Sequence, residues 1–148
     1  MAIDQAYNFR EINPLLSTSG LPSEDQLQSL AAEHYEVVIN LLPDHHEYAV
    51  KTEAQIVEAQ GLRYYYLPIE FDSPTLDELQ QFCKLMENTQ TQKKLVHCAA
   101  NYRVSVFYAL THLDWPAVQA RAFIATLLDS QEYPAWHSFI NEFLDLKD

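Results

Sequence analysis

Residues 94–110 read KLVHCAANYRVSVFYAL. Lys94 to His97 is a short apolar run of the kind that forms a buried strand, and a four-residue stretch, AANY, separates Cys98 from Arg103. The following RVSVFYALTHL is apolar on nearly all sides, and its length of eleven residues favours a buried helix over a strand. A cysteine between such a strand and helix faces the backbone N–H groups of the loop and the positive end of the helix, and both stabilise an anion. The anion could be the cysteine's own thiolate or the oxygens of a phosphoryl group under attack. An arginine adds a planar fork that matches two phosphate oxygens. The stretch therefore marks Cys98 as a candidate nucleophile. Ala99, Ala100, Asn101, Tyr102, Arg103 and Val104 are the candidate phosphate-binding residues, and His97 supports the loop through hydrogen bonds.

Outward from this centre, strands and helices alternate. Phe9 to Ser17 reads as a strand or strand pair interrupted at Pro14, and Gly20 and Pro22 mark a turn. Ser23 with Gln26 is a capping-box pattern that starts a helix at Glu24. Tyr35 to Leu42 (YEVVINLL) is a second buried strand ended by Pro43, and Tyr48 to Gln60 reads as a helix stopped by Gly61. Arg63 to Ile69 is a further strand, whose Tyr64, Tyr65 and Tyr66 alternate across the sheet. The loop EFDSP follows, and a second capping box, Thr75 with Glu78, opens a helix from Leu76 to about Asn88. Pro116 suits the first turn of another helix, and Tyr133-Pro134 opens the last. This order predicts an α/β fold, residues 1–148 forming one domain around a mostly parallel sheet with helices on both faces. Ligands of such folds bind beyond the carboxyl ends of the strands, where EFDSP and HCAANYR both lie.

The bulk numbers exclude several function classes. Nine Lys and Arg stand against 21 Asp and Glu, a formal net charge of −12, so nucleic acid is not expected as a partner. An anionic substrate would meet a repulsive long-range field and would need a locally positive site. No apolar run approaches the roughly 20 residues of a membrane span, and MAIDQAYNFREIN has no basic region followed by an apolar stretch, so a cytoplasmic protein without a membrane partner is expected. Two cysteines do not make a disulfide scaffold, and Cys83 reads as a small core residue. His45 and His46 are adjacent without a further spaced ligand, so no metal and no cofactor are expected.

The strand, His-Cys, loop, Arg, helix order resembles the signature of the protein tyrosine and dual-specificity phosphatases. STSGLPSEDQL, YEVVINLL, YYYLPIEFDSPTLDELQQF and LVHCAANYRVSVFYAL resemble a bacterial dual-specificity-phosphatase-like family long classed as a domain of unknown function. The resemblance implies a cysteine-phosphatase fold, Cys98 as nucleophile and an aspartic acid on a neighbouring loop as general acid. Asp72 is the best match for that acid and Glu70 a weaker one. The usual signature places five residues between Cys and Arg, with Ser or Thr next. Here there are four, and Val104 follows Arg103. Either the loop is one residue short and Arg103 keeps its role, or the loop is full length and Ser105 holds the Ser/Thr place. On the second reading Ala100 matches a small residue, Asn101 replaces a Gly, and Val104 sits at the arginine position. Three positions then agree instead of one, and it is the preferred reading. Ser105 would donate to the Cys98 sulfur.

Three functions follow as expectations. The first is a phosphatase acting on a phosphoprotein or a phosphorylated small molecule through a phosphocysteine. The second is a catalytically weak anion-binding module, motivated by the displaced arginine. The third is thiol chemistry of another kind, such as sulfur transfer. The bland alternatives are a core cysteine at Cys98, a turn residue at Asp72, a structural ion pair at Arg103 and a packed histidine at His97.

Overall fold

The computed structural model describes residues 2–147. Its centre is a five-stranded sheet made of β1 (Arg10–Asn13), β2 (Leu16–Ser19), β3 (Val37–Asn40), β4 (Arg63–Tyr66) and β5 (Lys94–His97), in the order β1-β2-β5-β3-β4. Only β1 runs antiparallel to its neighbour, in a hairpin with β2 that turns at Pro14 and Leu15; the other pairings are parallel. The helices are α1 (Glu24–Gln28), α2 (Glu53–Ala59), α3 (Leu76–Asn88), α4 (Tyr102–Thr111), α5 (Ala117–Ala125) and α6 (Pro134–Lys147).

Alternation along the strands divides the core in two, because successive side chains of a strand point to opposite faces. Val37, Ile39 and Val96 enter a larger cluster with Phe82 of α3, Phe107 of α4, Ile124 of α5 and Trp136 of α6. Val38 and Leu95 enter a smaller one with Leu27, Leu30, Val57 and Ile3. Tyr65 packs on the first cluster and Tyr64 on the second, as their alternation predicts. Every residue of α4 from Arg103 to Leu110 is buried, so this helix runs through the core between the sheet and α6.

Both capping boxes form with reciprocal bonds, Ser23 with Gln26 and Thr75 with Glu78. Three expected elements are shorter in the structure, the first being the strand read over Tyr35–Leu42, which spans only Val37–Asn40. The helix predicted from Tyr48 begins at Glu53, because backbone turns at Pro43–His46 and His46–Ala49 occupy the preceding stretch. The strand predicted to Ile69 ends at Tyr66, although the Leu67 and Ile69 N–H groups still donate to Asn40 O and Leu41 O. Pro68 between them has no N–H to offer.

The pairing register places Ser19, His97, Asn40 and Tyr66 in one row across the sheet. Those residues end the four parallel strands, so the segments after them gather at a single edge. The segments that carry Gly20, Asp44, Asp72 and Cys98 thus leave the sheet at the same end of the molecule.

Candidate active site

Cys98 is fully buried at the carboxyl end of β5, its backbone N–H donating to Ser19 O at 3.3 Å. The loop after it is tied from outside. Ala99 O accepts from Leu21 N at 2.9 Å, and Ala100 O accepts from Asn8 Nδ2 at 2.9 Å. In a planar trans peptide the N–H points opposite the C=O. Tethering those two carbonyls therefore turns the N–H groups of Ala100 and Asn101 to the other side of the loop.

Asn101 closes the loop with φ +70°, the left-handed conformation that Asn tolerates better than most residues. Its side chain does not cap α4. Instead Nδ2 donates to Asn8 O at 2.8 Å and to Thr18 Oγ1 at 3.0 Å. Asn8 is itself at φ +53°, and it accepts from Asn101 while donating to Ala100 O, so both bonds tie the N-terminal segment to the loop. The first helical bond of α4 runs from Ser105 N to Asn101 O. The N–H groups of its first turn thus have no side-chain cap and no partner within the helix.

Arg103 is buried, and its Nε lacks a hydrogen-bond partner. Its guanidinium lies over the Phe71 ring, 4.9 Å from the centroid, and no carboxylate of the described residues lies within salt-bridge distance. Phe71 is held from behind: its carbonyl accepts from Trp136 Nε1 at 2.5 Å, and its ring meets Tyr133 edge-on at 5.1 Å. Asp72, next in sequence, is exposed on that same loop. Glu70, the alternative acid, accepts from His45 Nε2 at 2.7 Å, and this bond raises the His45 pKa. Tyr102 is half-buried, with its ring 6.1 Å from that of Tyr133.

Two sequence expectations are met differently. Val104 packs wholly within the larger apolar cluster. Ser105 is buried as well, but its hydroxyl donates to Asn101 Oδ1 at 3.4 Å and not to the Cys98 sulfur. The hydroxyl therefore braces the start of the helix.

Three residues that sequence reading missed, and Gly20, which it read only as a turn, complete the surroundings. Glu53, on α2, lies 2.5 Å from His97 Nε2 with both groups buried, while His97 Nδ1 lies 3.3 Å from Cys98 O. Asn8 and Thr18 hold Asn101. Gly20 packs so tightly that a Cβ there would lie 2.6 Å from Ala99 O. Only Gly20 carried a signal, since the chain has just two glycines. A cleft of about 540 Å³ between Asn13, Met86, Lys94 and Tyr108 lies at the opposite end of the sheet from Cys98.

Over 93% of its length the chain is 31% identical to the DUF442 candidate phosphatase of Shewanella putrefaciens CN-32, spanning 89% of that protein with a TM-score of 0.82. The chain belongs to the DUF442 family. No family model matches it. As a DUF442 member it is also 31% identical over 106 residues to the β-lactamase hydrolase-like protein of Xylella fastidiosa, and spans about a quarter of that relative's length. TpbA of P. aeruginosa superposes with a TM-score of 0.72 over 95% of this chain and 91% of its own, at 16% identity. The DUF442 fold here is accordingly that of the tyrosine and dual-specificity phosphatases. No helix of the described residues is long and apolar enough to cross a membrane.

Proposed function

We propose that the chain is a cysteine-dependent phosphatase that hydrolyses a phosphomonoester, on a protein or a small molecule, through a phosphocysteine. The observation that carries the reading is the conjunction at one loop of a buried cysteine, the uncapped N–H groups of a helix start, and a buried arginine whose Nε has no partner. Buried donors without acceptors are costly unless a ligand satisfies them, and a phosphoryl group brings three acceptor oxygens. Val104 lies in apolar packing, so the side chain available to an anion is Arg103, which supports the short-loop reading of the motif.

In the first step the Cys98 thiolate attacks phosphorus, the phosphorus–oxygen ester bond breaks, and Asp72 gives its proton to the leaving oxygen. In the second step water attacks the phosphocysteine with Asp72 as base, and phosphate and the thiolate are released. Loop and helix N–H groups, with Arg103, hold the charge that builds on the non-bridging oxygens. The test is p-nitrophenyl phosphate hydrolysis at pH 5 to 7, with intact-mass detection of a phosphoryl adduct on Cys98. Cys98→Ser should abolish both. Phosphate binding without turnover in the native chain would reduce the site to an anion-binding module.

A second reading is sulfur transfer. It is favoured by the loop itself, which has four residues between Cys98 and Arg103 and a cysteine with no exposed surface. A shorter loop offers fewer N–H groups and a narrower cradle, suited to a single sulfur atom. Cys98 would take the outer sulfur of thiosulfate, with sulfite leaving on the bonding electron pair, and pass it to an acceptor thiolate or cyanide. Thiocyanate formation from thiosulfate and cyanide is the assay that separates the two.

A further inference from the structure

We propose that the groove between α3 and the end of α4 binds a long-chain fatty acid, its carboxylate at Lys94 and Tyr108 and its tail running along α3 towards Leu76 and Phe143. The groove starts at the opposite end of the sheet from Cys98, and the inference is independent of the chemistry there.

Strand alternation puts a cation where an apolar side chain is expected. Lys94 is two residues before Val96, so it shares the face of β5 that carries the larger core. It is only 3% exposed, and burial lowers its pKa against the pull of Glu36. Its Nζ donates to Thr89 O at 2.9 Å and to Gln92 O at 3.0 Å, which closes the end of α3. An ammonium has three protons, so one remains for the cleft of about 540 Å³ that Lys94 lines. Tyr108 lines the same cleft from α4. It is 9% exposed, and burial alone raises its pKa, with no hydrogen bond acting on its hydroxyl. Two buried donors, one of them charged, thus line one mainly apolar cleft, the composition of a small-molecule site. A carboxylate supplies acceptor oxygens for both and a charge that offsets the desolvation of the ammonium.

The tail has a path of its own. A second cleft, of about 490 Å³, shares Cys83 and Leu113 with the first and is bounded by Leu76, Leu79, Leu110 and Phe143. Leu76, Leu79, Cys83 and Met86 succeed one another at spacings of three and four, so a single face of α3 lines both clefts in turn. From Leu76 to Met86 the helix advances about 15 Å, the reach of an extended long-chain acyl group. Leu76 and Leu113 are exposed, so apolar surface lies open to water along the route. Burial raises the Cys83 pKa, and its thiol stays neutral where the two clefts meet. Glu87, a carboxylate lining the first cleft, is exposed, where water and salt screen it, whereas Lys94 is buried. A peptide laid along this apolar face would leave backbone N–H and C=O groups without partners, and an acyl chain has none to satisfy. One buried cation with an apolar path beyond it therefore matches an amphiphile bearing a single anionic group.

The test is equilibrium dialysis of the native chain against radiolabelled myristate, kept below its aggregation concentration, with tetradecanol and octanoate as competitors. Myristate should saturate at one molecule per chain. Tetradecanol keeps the tail without the charge and should compete at least about tenfold more weakly. Octanoate keeps the charge but not the part of the tail that reaches Leu76, and should lose up to about fourfold for each buried methylene removed. Lys94→Met should weaken myristate binding by about tenfold or more, and Tyr108→Phe, which removes only a hydroxyl, by about fivefold. Leu113→Asp places a charge where the two clefts meet, at a position exposed enough for the variant to fold, and should weaken binding at least about tenfold. No saturable myristate binding by the native chain overturns the inference without any variant having to fold. Equal competition by tetradecanol overturns it as well, as do folded Tyr108→Phe and Leu113→Asp proteins that both bind like the native chain. Uptake of many myristates per chain with no one-to-one step would be detergent action and would also overturn it. So would a native dimer that Leu113→Asp breaks and that takes up no myristate, since a second copy would then cover the groove.

Discussion

Replacing Gly20 with alanine should damage both stability and the candidate site, because the space for a methyl group there is taken by backbone. A Cβ on Gly20 would meet Ala99 O at 2.6 Å, Tyr7 O at 3.0 Å and the Ala100 Cα at 3.1 Å. The first of these is about 0.8 Å inside ordinary contact, and none of the three belongs to a side chain that can rotate away. The segment cannot simply withdraw, since Gly20 N donates to Tyr7 O at 2.7 Å and Leu21 N to Ala99 O at 2.9 Å. The Cys98 loop must move instead. Overpacking of this kind costs about 1–3 kcal/mol. For a chain of this size that is a fall in Tm of about 3–10 °C. A displacement approaching 1 Å in the groups that orient a reaction costs up to about 100-fold in rate. Gly61 is the control. Its φ of +86° disfavours alanine by about 1–2 kcal/mol, but a Cβ there meets nothing, and it ends α2 far from the loop. Gly61→Ala should therefore lower Tm and leave turnover intact, while Gly20→Ala lowers both. Differential scanning calorimetry with steady-state assays decides the matter. A Gly20→Ala protein that melts within about 1 °C of the native chain and turns over normally would refute the account of how the loop is held.

Asn101→Ala should be less stable than Asn101→Gly by about 1 kcal/mol, since both lose the bonds to Asn8 and Thr18 but only alanine pays for positive φ; urea titration of the two reads the difference. The His97–Glu53 pair should make stability pH-dependent. The folded-state pKa of His97 lies above its unfolded value of about 6.5, so its contribution is complete below that pH and is lost as pH rises through the folded value. Urea melts of the native chain and His97→Asn from pH 5 to 9 should converge as pH rises. Trp136→Phe removes the donor to Phe71 O, costing about 1 kcal/mol, and releases the loop that carries Asp72. Its kcat should fall further for alkyl than for aryl phosphates, because alkoxide leaving groups need the proton more.

What was legible in the sequence was local. The strand Lys94–His97 and the helix Leu76–Asn88 stand where they were read, because a short strand sequence before a loop and a reciprocal capping box depend on residues within a few positions of one another. The candidate loop after Cys98 was legible for the same reason. Its supports were not. Glu53 is 44 positions from His97, Asn8 is 93 from Asn101, and Thr18 is 83 from it. No periodicity marks a carboxylate that the fold will bury against a histidine, and Glu53 sits in TEAQIVEAQ beside Glu58 with nothing to distinguish them. The register of Arg103 was likewise beyond local reading, because motif alignment weighs identities and not the direction in which the helix faces.

That register can be argued from the geometry. A helix residue advances about 100° per position, so an arginine one place early would face about 100° from its usual direction if the helix began at its usual point. Here the helix begins at Tyr102, directly after a left-handed Asn101, and on the proposed short-loop reading the loop from Cys98 has lost one residue. Shortening the loop and moving the arginine forward by one offset each other, since the position that matters is counted from the start of the helix and not from the cysteine. The packing agrees with this count. Val104 and Val106 go into the larger core, whereas Arg103 turns towards Phe71 on the loop of Asp72. A guanidinium committed to structure would be expected to satisfy its donors with carboxylates or carbonyls, yet the Arg103 Nε has no partner although it is buried. In a chain of net charge −12, whose long-range field repels anions, such a donor gains most when an anion sits in the loop beside it.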